Sequence, residues 1–153
     1  RLVEELRRSF DWVWIDIPRS LCHVNANVIS DAAHIHVVSD LSLAGMRDTM
    51  RVANYCDGLN RDADIGVIVN RTGGAKGIPA AQFSKGVPKP VIARLPEDAK
   101  AGNAATTGKP VAQIAGRGKF AVGLRKIVAD IAPLPKKRRG LLSLRKASTE
   151  AEA

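Results

Sequence analysis

Aromatic residues are scarce in this sequence of 153 residues. Phenylalanine, tryptophan and tyrosine together make up 4%, whereas hydrophobic residues of all types make up 45%. A core must therefore consist mostly of valine, isoleucine, leucine and alanine, which favours an α/β protein over an antiparallel β sandwich. The length suits one domain of ordinary size.

Cysteines and long apolar runs are also few. Cys22 and Cys56 are the two cysteines, and they form no C-x-x-C pair. This spacing indicates neither a disulfide framework nor a zinc site, so we expect two small buried residues in a reducing cytoplasm. No stretch has the apolar length of a membrane span, and no signal peptide is visible.

Negative charge is in short supply, and the formal net charge is +9. Residues 135–146 (PKKRRGLLSLRK) carry six positive charges and no negative ones. We predict a domain over residues 1–132 and a basic, disordered tail over residues 133–153. The tail is either a solvated linker or a contact with an anionic membrane, and DNA is the less favoured partner. The membrane-contact residues would be Lys136, Lys137, Arg138, Arg139, Leu141, Leu142 and Leu144.

Short apolar runs rich in β-branched residues predict strands. They are nearly continuous in apolarity, as is typical of strands covered on both faces. Helical patterns separate them, so we predict right-handed βαβ crossovers and a mainly parallel sheet flanked by helices. The predicted strands are residues 12–17, 34–39, 65–70 and 90–95.

Three helices are predicted between and after these strands. The first spans residues 42–59, with Ser42 as its N-cap and Gly58 as its stop. A short one lies near residues 79–86, and the last lies within residues 116–132. The apolar stripe of the last helix consists of Phe120, Leu124, Ile127, Val128 and Ile131.

Polar residues follow every predicted strand. Because ligands bind at the carboxyl ends of strands in doubly wound sheets, we expect these residues to share one cleft. The four strand ends are Asp16, Ser39-Asp40, Asn70-Arg71 and Pro96-Glu97-Asp98.

Each of these strand ends has two interpretations. An apolar strand that ends in Asp16 matches a Walker B carboxylate, which orients a water of nucleotide-bound Mg²⁺, but the same residue could cap a turn before Pro18. Asn70 could bond an adenine edge and Arg71 could stack on the ring, or both could simply begin a turn. Residues 96–98 could form a wall for the base or start a helix.

Four segments in order and register resemble the MinD/ParA family of deviant Walker A ATPases. They are FDWVWIDIPRS (10–20), VVSDLSLAGMRDTMRV (37–52), VIVNR (67–71) and LPEDAKAGNAATTGKPVAQIA (95–115). The resemblance covers about residues 1–132. Within the family, DIPRS (16–20) and SLAGMRDTMR (42–51) are most similar to the CpaE/TadZ branch, the assembly proteins of Tad/Flp-type pili.

The resemblance implies a P-loop NTPase-like fold that binds ATP and Mg²⁺ and forms a homodimer. Asp16 would be the Walker B or switch II carboxylate, contacting the metal through a water, and Pro18 and Arg19 would begin the switch loop. The residues on the adenine side of the pocket would be Asn70, Arg71, Pro96, Glu97 and Asp98.

The implied function is to localise or assemble a pilus secretion machine, with partner proteins from that machinery, at the inner membrane or a cell pole. A chromosome-segregation or cell-division positioning ATPase is the first alternative. A non-catalytic interaction module with a degenerate nucleotide pocket is the second.

One family feature is missing from the sequence. No K-G-G-x-x-K-[ST] phosphate loop occurs, and TGGAKG (72–77) follows the wrong strand and lacks a serine or threonine after Lys76. The chain begins at Arg1 with a helix-like segment, so we expect a fragment whose phosphate loop and first strands precede it. ATP hydrolysis is expected of the full-length protein and not of this chain alone.

Two histidines share one face of the second predicted strand. His34 and His36 flank Ile35, so their side chains point the same way. A zinc ion could bind such a pair, but no third ligand lies nearby in sequence, and we expect structural roles.

Overall fold

The computed structural model describes residues 2–74 and 77–132. The basic tail at residues 133–153, with its predicted membrane contacts at residues 136–144, lies outside the described residues, as does Lys76 of the glycine-rich loop. Among the residues described, no helix combines the length and the apolarity that a bilayer crossing requires.

Three parallel strands form the sheet. They are β1 (His34–Ser39), β2 (Asp64–Thr72) and β3 (Val91–Pro96), in the order β1-β2-β3. The central strand β2 pairs in parallel with both neighbours. The predicted strands 34–39, 65–70 and 90–95 are confirmed to within two residues at each end. The predicted α/β class with a parallel sheet is also confirmed.

Helices connect the strands and cover the sheet. α3 joins β1 to β2, and α4 joins β2 to β3, so both connections are crossovers of the βαβ type. Two 3₁₀ turns, Arg19–Leu21 and His23–Asn25, precede α2. The helices are α1 (Leu2–Ser9), α2 (Ala26–Ser30), α3 (Leu43–Leu59), α4 (Ala80–Gly86), α5 (Ala99–Thr107), α6 (Val111–Ile114) and α7 (Lys119–Ile131).

α3 begins where the sequence predicts and ends at the last residue of the predicted span, one residue past the predicted stop. The Ser42 hydroxyl accepts a hydrogen bond from the Gly45 N–H at 2.8 Å, which confirms the N-cap. The predicted stop at Gly58 is wrong, because the helix continues to Leu59 and its C-cap is Asn60. The Asn60 amide donates to the carbonyls of Ser30 and Ala32, at 2.8 and 2.9 Å, and these bonds fix the point where the chain leaves the helix.

The first predicted strand, residues 12–17, is wrong. The segment has no regular secondary structure, and its backbone makes no hydrogen bond to any described residue. It runs beside β1 through side chains only, with the Trp12 ring 6.3 Å from the ring of His34 and the Trp14 ring 6.2 Å from the ring of His36. A strand needs a hydrogen-bonded neighbour, and β1 does not bond to this segment.

Two apolar clusters lie between the sheet and the helices. The larger one buries Phe83 of α4 and Val87 against Val67 and Val69 of β2. The smaller one consists of Ile29, Cys56 and Ile65, and Ile17 and Cys22 pack against it. Cys56 is buried as predicted and Cys22 is half-buried. Burial, with Cys22 as a second cause, raises the pKa of the Cys56 thiol.

α7 packs on β3 at the other end of the sheet. A Cβ added at Gly123 would lie 2.7 Å from Leu95 Cδ2, so glycine permits this close approach. Ala121 is the fully buried residue of the helix. Of the predicted apolar stripe, Val128 is exposed and the other four residues are half-buried.

We expect the substitution Phe83→Ala to destabilise the protein strongly. The Phe83 side chain is 0% exposed, and its removal leaves a cavity in the larger cluster. The free energy of unfolding should fall by about 3 to 5 kcal/mol in urea denaturation. The matched control is Phe10→Ala, where the ring is 60% exposed, and its effect should stay within about 0.5 kcal/mol. Equal effects of the two substitutions would contradict this account of the core.

We expect the free energy of unfolding to decrease as the pH decreases, because His36 becomes protonated. Burial, and secondly the neighbouring His34, lower the pKa of His36 below its ordinary 6.5, while Asp64 opposes the shift. Between the lowered value and 6.5 the unfolded chain binds the extra proton, so this stability is complete above 6.5 and is lost as the pH falls below it. Urea denaturation across this range should show a weaker pH dependence for His36→Gln. The control His23→Gln, at an exposed residue, should leave the dependence unchanged.

Candidate functional site

A cleft of about 390 Å³ lies at the carboxyl edge of the sheet. β1 and β3 contribute the residues that follow them, and β2 contributes Arg71, its second-last residue, together with Gly73 and Gly74 after its end. The structure therefore brings three of the four predicted strand ends together. The cleft is lined by Asp40, Leu41, Ser42, Arg71, Gly73, Gly74 and Glu97.

Asp40 is held in place by the start of α3. Its Oδ1 accepts hydrogen bonds from the Ser42 hydroxyl at 2.6 Å and from the Ser42 N–H at 3.0 Å. These bonds, and then the positive charge of Arg71, lower the pKa of the Asp40 carboxyl. A Cβ at Gly45 would lie 2.4 Å from this same oxygen, so the helix can approach the strand end only with glycine at that position.

Arg71 adopts a left-handed backbone conformation, with φ 54°. No other non-glycine residue among those described has a positive φ. Such a conformation costs roughly 1 to 2 kcal/mol, and here the Asn70 side chain offsets part of this cost by accepting the Arg71 N–H at 2.9 Å. Strained residues of this kind cluster at functional sites, so the conformation itself points to a role for Arg71 in the cleft.

The far wall of the cleft is tied to β2. The Glu97 N–H donates to the Thr72 carbonyl at 3.0 Å, and the Thr72 hydroxyl donates to the Leu95 carbonyl at 3.0 Å. A Cβ at Gly74 would lie 3.6 Å from Glu97 Oε2, so this carboxylate faces the glycine loop. The rim is therefore fixed by backbone as well as side-chain bonds.

The charges of the cleft favour an uncharged group over a phosphate. Asp40 and Glu97 are acidic and Arg71 is basic, so the ionised side chains sum to −1. Carboxylates accept hydrogen bonds from hydroxyl and amine groups, and a guanidinium can stack on an aromatic ring. A purine base with its ribose fits this set of groups, whereas a phosphate would meet two carboxylates.

The remaining predicted adenine-side residues have structural contacts. Pro96 is the last residue of β3 and is paired with Thr72. The Asp98 carboxylate accepts the Lys100 N–H at 2.9 Å and caps α5, as the alternative interpretation of this segment expected. Asn70 contacts the Arg71 backbone. None of these three is among the residues that line the cleft.

Asp16 does not line the cleft with Asp40, Arg71 and Glu97. It is exposed, in the segment 12–17, which makes no backbone bond to β1. Pro18 follows at the N-cap of a 3₁₀ turn. Arg19, the first residue of this turn, forms an ion pair with Asp48 of α3.

Arg19 and Asp48 line a second cavity, of about 320 Å³, between the 3₁₀ turns and α3. This cavity is also lined by Cys22, Arg51 and Tyr55. The ion pair therefore connects the residues after Asp16 to the helix that begins at the candidate cleft.

Several residues of the site have no assigned role in the sequence analysis. Asp40 was predicted as a strand end, but its bonds to Ser42 and its closeness to Arg71 depend on the fold. Gly73 and Gly74 belong to the loop TGGAKG (72–77), which lacks the phosphate-loop pattern, and both line the cleft. Their position directly after a strand end was the one signal available in the sequence.

No family model and no curated protein matches this chain. The chain is similar in structure to several solved ATPases. A ParA family ATPase from Chlorobium tepidum superposes with a TM-score of 0.72 at 20% identity, covering 82% of this chain and 52% of the ATPase. The septum site-determining protein MinD from Pyrococcus horikoshii, complexed with Mg-ADP, gives 0.75 at 22% identity, covering 86% and 54%. The cell-division ATPase MinD from Pyrococcus furiosus gives 0.73 at 23% identity, covering 84% and 54%.

These similarities concern the fold. The chain spans little more than half the length of these three ATPases. Within that span its strands and helices follow the same arrangement. The chain therefore has the α/β, P-loop NTPase-like fold of the MinD and ParA ATPases.

Proposed function

We propose that this chain is part of a nucleotide-binding positioning ATPase and that its cleft holds the base and ribose of ATP. The observation that carries the proposal is the meeting of three strand ends at one charged cleft, with Arg71 held in a strained conformation between Asp40 and Glu97. The fold supports it, because one MinD of this fold is complexed with Mg-ADP.

The base side of the pocket is the part that this chain can supply. Arg71 would stack on or bond the adenine, and the carboxylates of Asp40 and Glu97 would accept hydrogen bonds from the amine and the hydroxyl groups. The phosphates would bind elsewhere, to a loop in a longer protein. ATP hydrolysis is proposed for that longer protein and not for this chain alone.

Asp16 would act as a switch residue. Its segment makes no backbone hydrogen bond to a described residue, so binding of Mg²⁺ and ATP would order it at little cost to those bonds. Ile17 packs in the smaller cluster and Arg19 pairs with Asp48, so ordering of Asp16 would be transmitted to α3. In this mechanism the ordered segment alters the face that a homodimer uses.

The cellular role is proposed from the sequence resemblance. DIPRS (16–20) and SLAGMRDTMR (42–51) favour a CpaE/TadZ-like protein that positions pilus secretion machinery at the inner membrane or cell pole, with the basic tail on anionic lipid. The alternative, a cell-division or chromosome-segregation positioning ATPase, is equally compatible with the fold shared with the solved MinD and ParA ATPases. Sedimentation with anionic vesicles tests whether the protein binds lipid, and DNA filter binding at two salt concentrations tests whether it binds DNA. The position of Asp16 outside the cleft favours a third candidate, a non-catalytic module.

We expect the 153-residue chain to bind adenosine at least as well as it binds ADP. The cleft carries a net charge of −1, so the phosphates of ADP should add no affinity. Saturation-transfer NMR measures such weak binding. The substitution Arg71→Gly should reduce the adenosine signal by roughly tenfold, the effect of one lost contact of about 1.4 kcal/mol.

Glycine is the appropriate replacement because it tolerates the positive φ of Arg71, so the loss can be assigned to the side chain. The matched control is Arg61→Gly, an exposed arginine at the opposite end of β2, which should keep the signal. Equal signals for the Arg71 and Arg61 variants would overturn the assignment. No adenosine signal in the unsubstituted chain would favour the non-catalytic module.

In the longer protein we expect Asp16→Ala to weaken Mg²⁺-dependent dimerisation in ATP. The carboxylate would no longer hold the metal-bound water that orders its segment. Analytical ultracentrifugation with ATP, with and without Mg²⁺, measures the effect. Asp11→Ala, in the same exposed stretch, serves as the control. If the Asp16 variant dimerises as the unsubstituted protein does, the switch role is wrong.

A further inference from the structure

The inner side of the second cavity is apolar. This cavity, of about 320 Å³, lies between the 3₁₀ turns and α3. Cys22 and Val52 line it, and both pack against the smaller apolar cluster. The ring of Tyr55, which is 37% exposed, adds further apolar surface. A ligand in the cavity would therefore bury an apolar group against these three side chains.

One positive charge of this cavity has no partner. Arg19 and Asp48 form an ion pair with each other. Arg51 also lines the cavity, but its guanidinium makes no ion pair and no hydrogen bond to any described residue. Two arginines and one aspartate give the cavity a net charge of +1, whereas the cleft at the carboxyl edge of the sheet carries −1. The unpaired cation favours an anionic ligand.

Hydrogen-bonding groups converge on the cavity from both of its walls. Arg51 and Tyr55 are four residues apart on α3, so they lie on one face of the helix. Ser20 and His23 line the cavity from the 3₁₀ turns. The hydroxyls of Ser20 and Tyr55 and the ring of His23 make no hydrogen bond to any described residue. A carboxylate or phosphate group, which accepts hydrogen bonds, can satisfy several of these groups together.

We propose that the second cavity binds a small organic anion. The apolar body of the ligand lies against Cys22 and Val52, and its carboxylate or phosphate group binds the Arg51 guanidinium. A volume of about 320 Å³ is at the lower end of the range of small-molecule sites, so the ligand must be small. It contacts both the residues after Pro18 and α3 and so holds these two elements together. The site shares no residue with the proposed nucleotide cleft.

The experiment uses the 153-residue chain and measures how far a ligand protects the Cys22 thiol from alkylation. Cys22 lines the cavity, whereas Cys56 is 2% exposed, so iodoacetamide should label Cys22 first. The probe is phenyl phosphate, which combines an apolar ring with a phosphate group. Inorganic phosphate lacks the ring, and benzyl alcohol lacks the charge. Mass spectrometry of peptides locates the label and gives the rate at which it forms.

We expect phenyl phosphate to slow the labelling of Cys22 saturably. Inorganic phosphate and benzyl alcohol should each need a concentration roughly tenfold higher for half protection, because each lacks one of the two contacts. Arg51→Gln should raise the half-protection concentration of phenyl phosphate by roughly tenfold, and Tyr55→Phe, which keeps the ring and loses the hydroxyl, by roughly threefold. The matched control is Arg61→Gln, at an exposed arginine outside the cavity, which should leave this concentration unchanged.

Three results would overturn the proposal. The first is labelling of Cys22 that phenyl phosphate does not slow. The second is equal protection by inorganic phosphate or by benzyl alcohol, because the cavity would then recognise only one part of the ligand. The third is an unchanged half-protection concentration in the Arg51 variant. Arg71→Gly, which tests the nucleotide cleft, should leave the protection unchanged, so the two proposals can fail independently.

Discussion

The parallel pairing of β2 with both of its neighbours is the constraint on which the rest of the structure depends. Parallel strands have all their carboxyl ends at the same end of the sheet. The residues at the ends of β1, β2 and β3 must therefore lie side by side. Parallel pairing also requires long crossovers, which are supplied by α3 and α4. These helices cover one face of the sheet, and their apolar residues form the two clusters that hold the strands in register.

The cleft is a consequence of that shared edge. Asp40, Arg71 and Glu97 come from positions distant in sequence and meet because their strands end together. Local bonds then fix each residue, through Ser42 for Asp40, Asn70 for Arg71 and Thr72 for Glu97. The backbone strain at Arg71 is offset by this surrounding rigidity, as is usual where a side chain must be aimed at a ligand.

The face of the sheet covered by α3 and α4 and the outer edge of β1 differ in how well they are covered. The helix-covered face is packed, whereas the outer edge of β1 pairs with no other described strand and has exposed tryptophan rings beside it. Asp16 lies in the segment beside this edge and does not line the cleft.

The sequence by itself determined the strands β1, β2 and β3, the Ser42 cap and the α/β class, because apolar periodicity and side-chain capping are local properties. It predicted Arg71 and Glu97 at strand ends for the same reason. Only the tertiary structure decided whether residues 12–17 form a strand, since that requires a hydrogen-bonded neighbour. Two further features also depend on the fold. The Asn60 side chain bonds to carbonyls of residues 30 and 32, far from it in sequence, and α3 approaches Asp40 closely at Gly45. No local pattern encodes such contacts, because they depend on how separate elements are brought together.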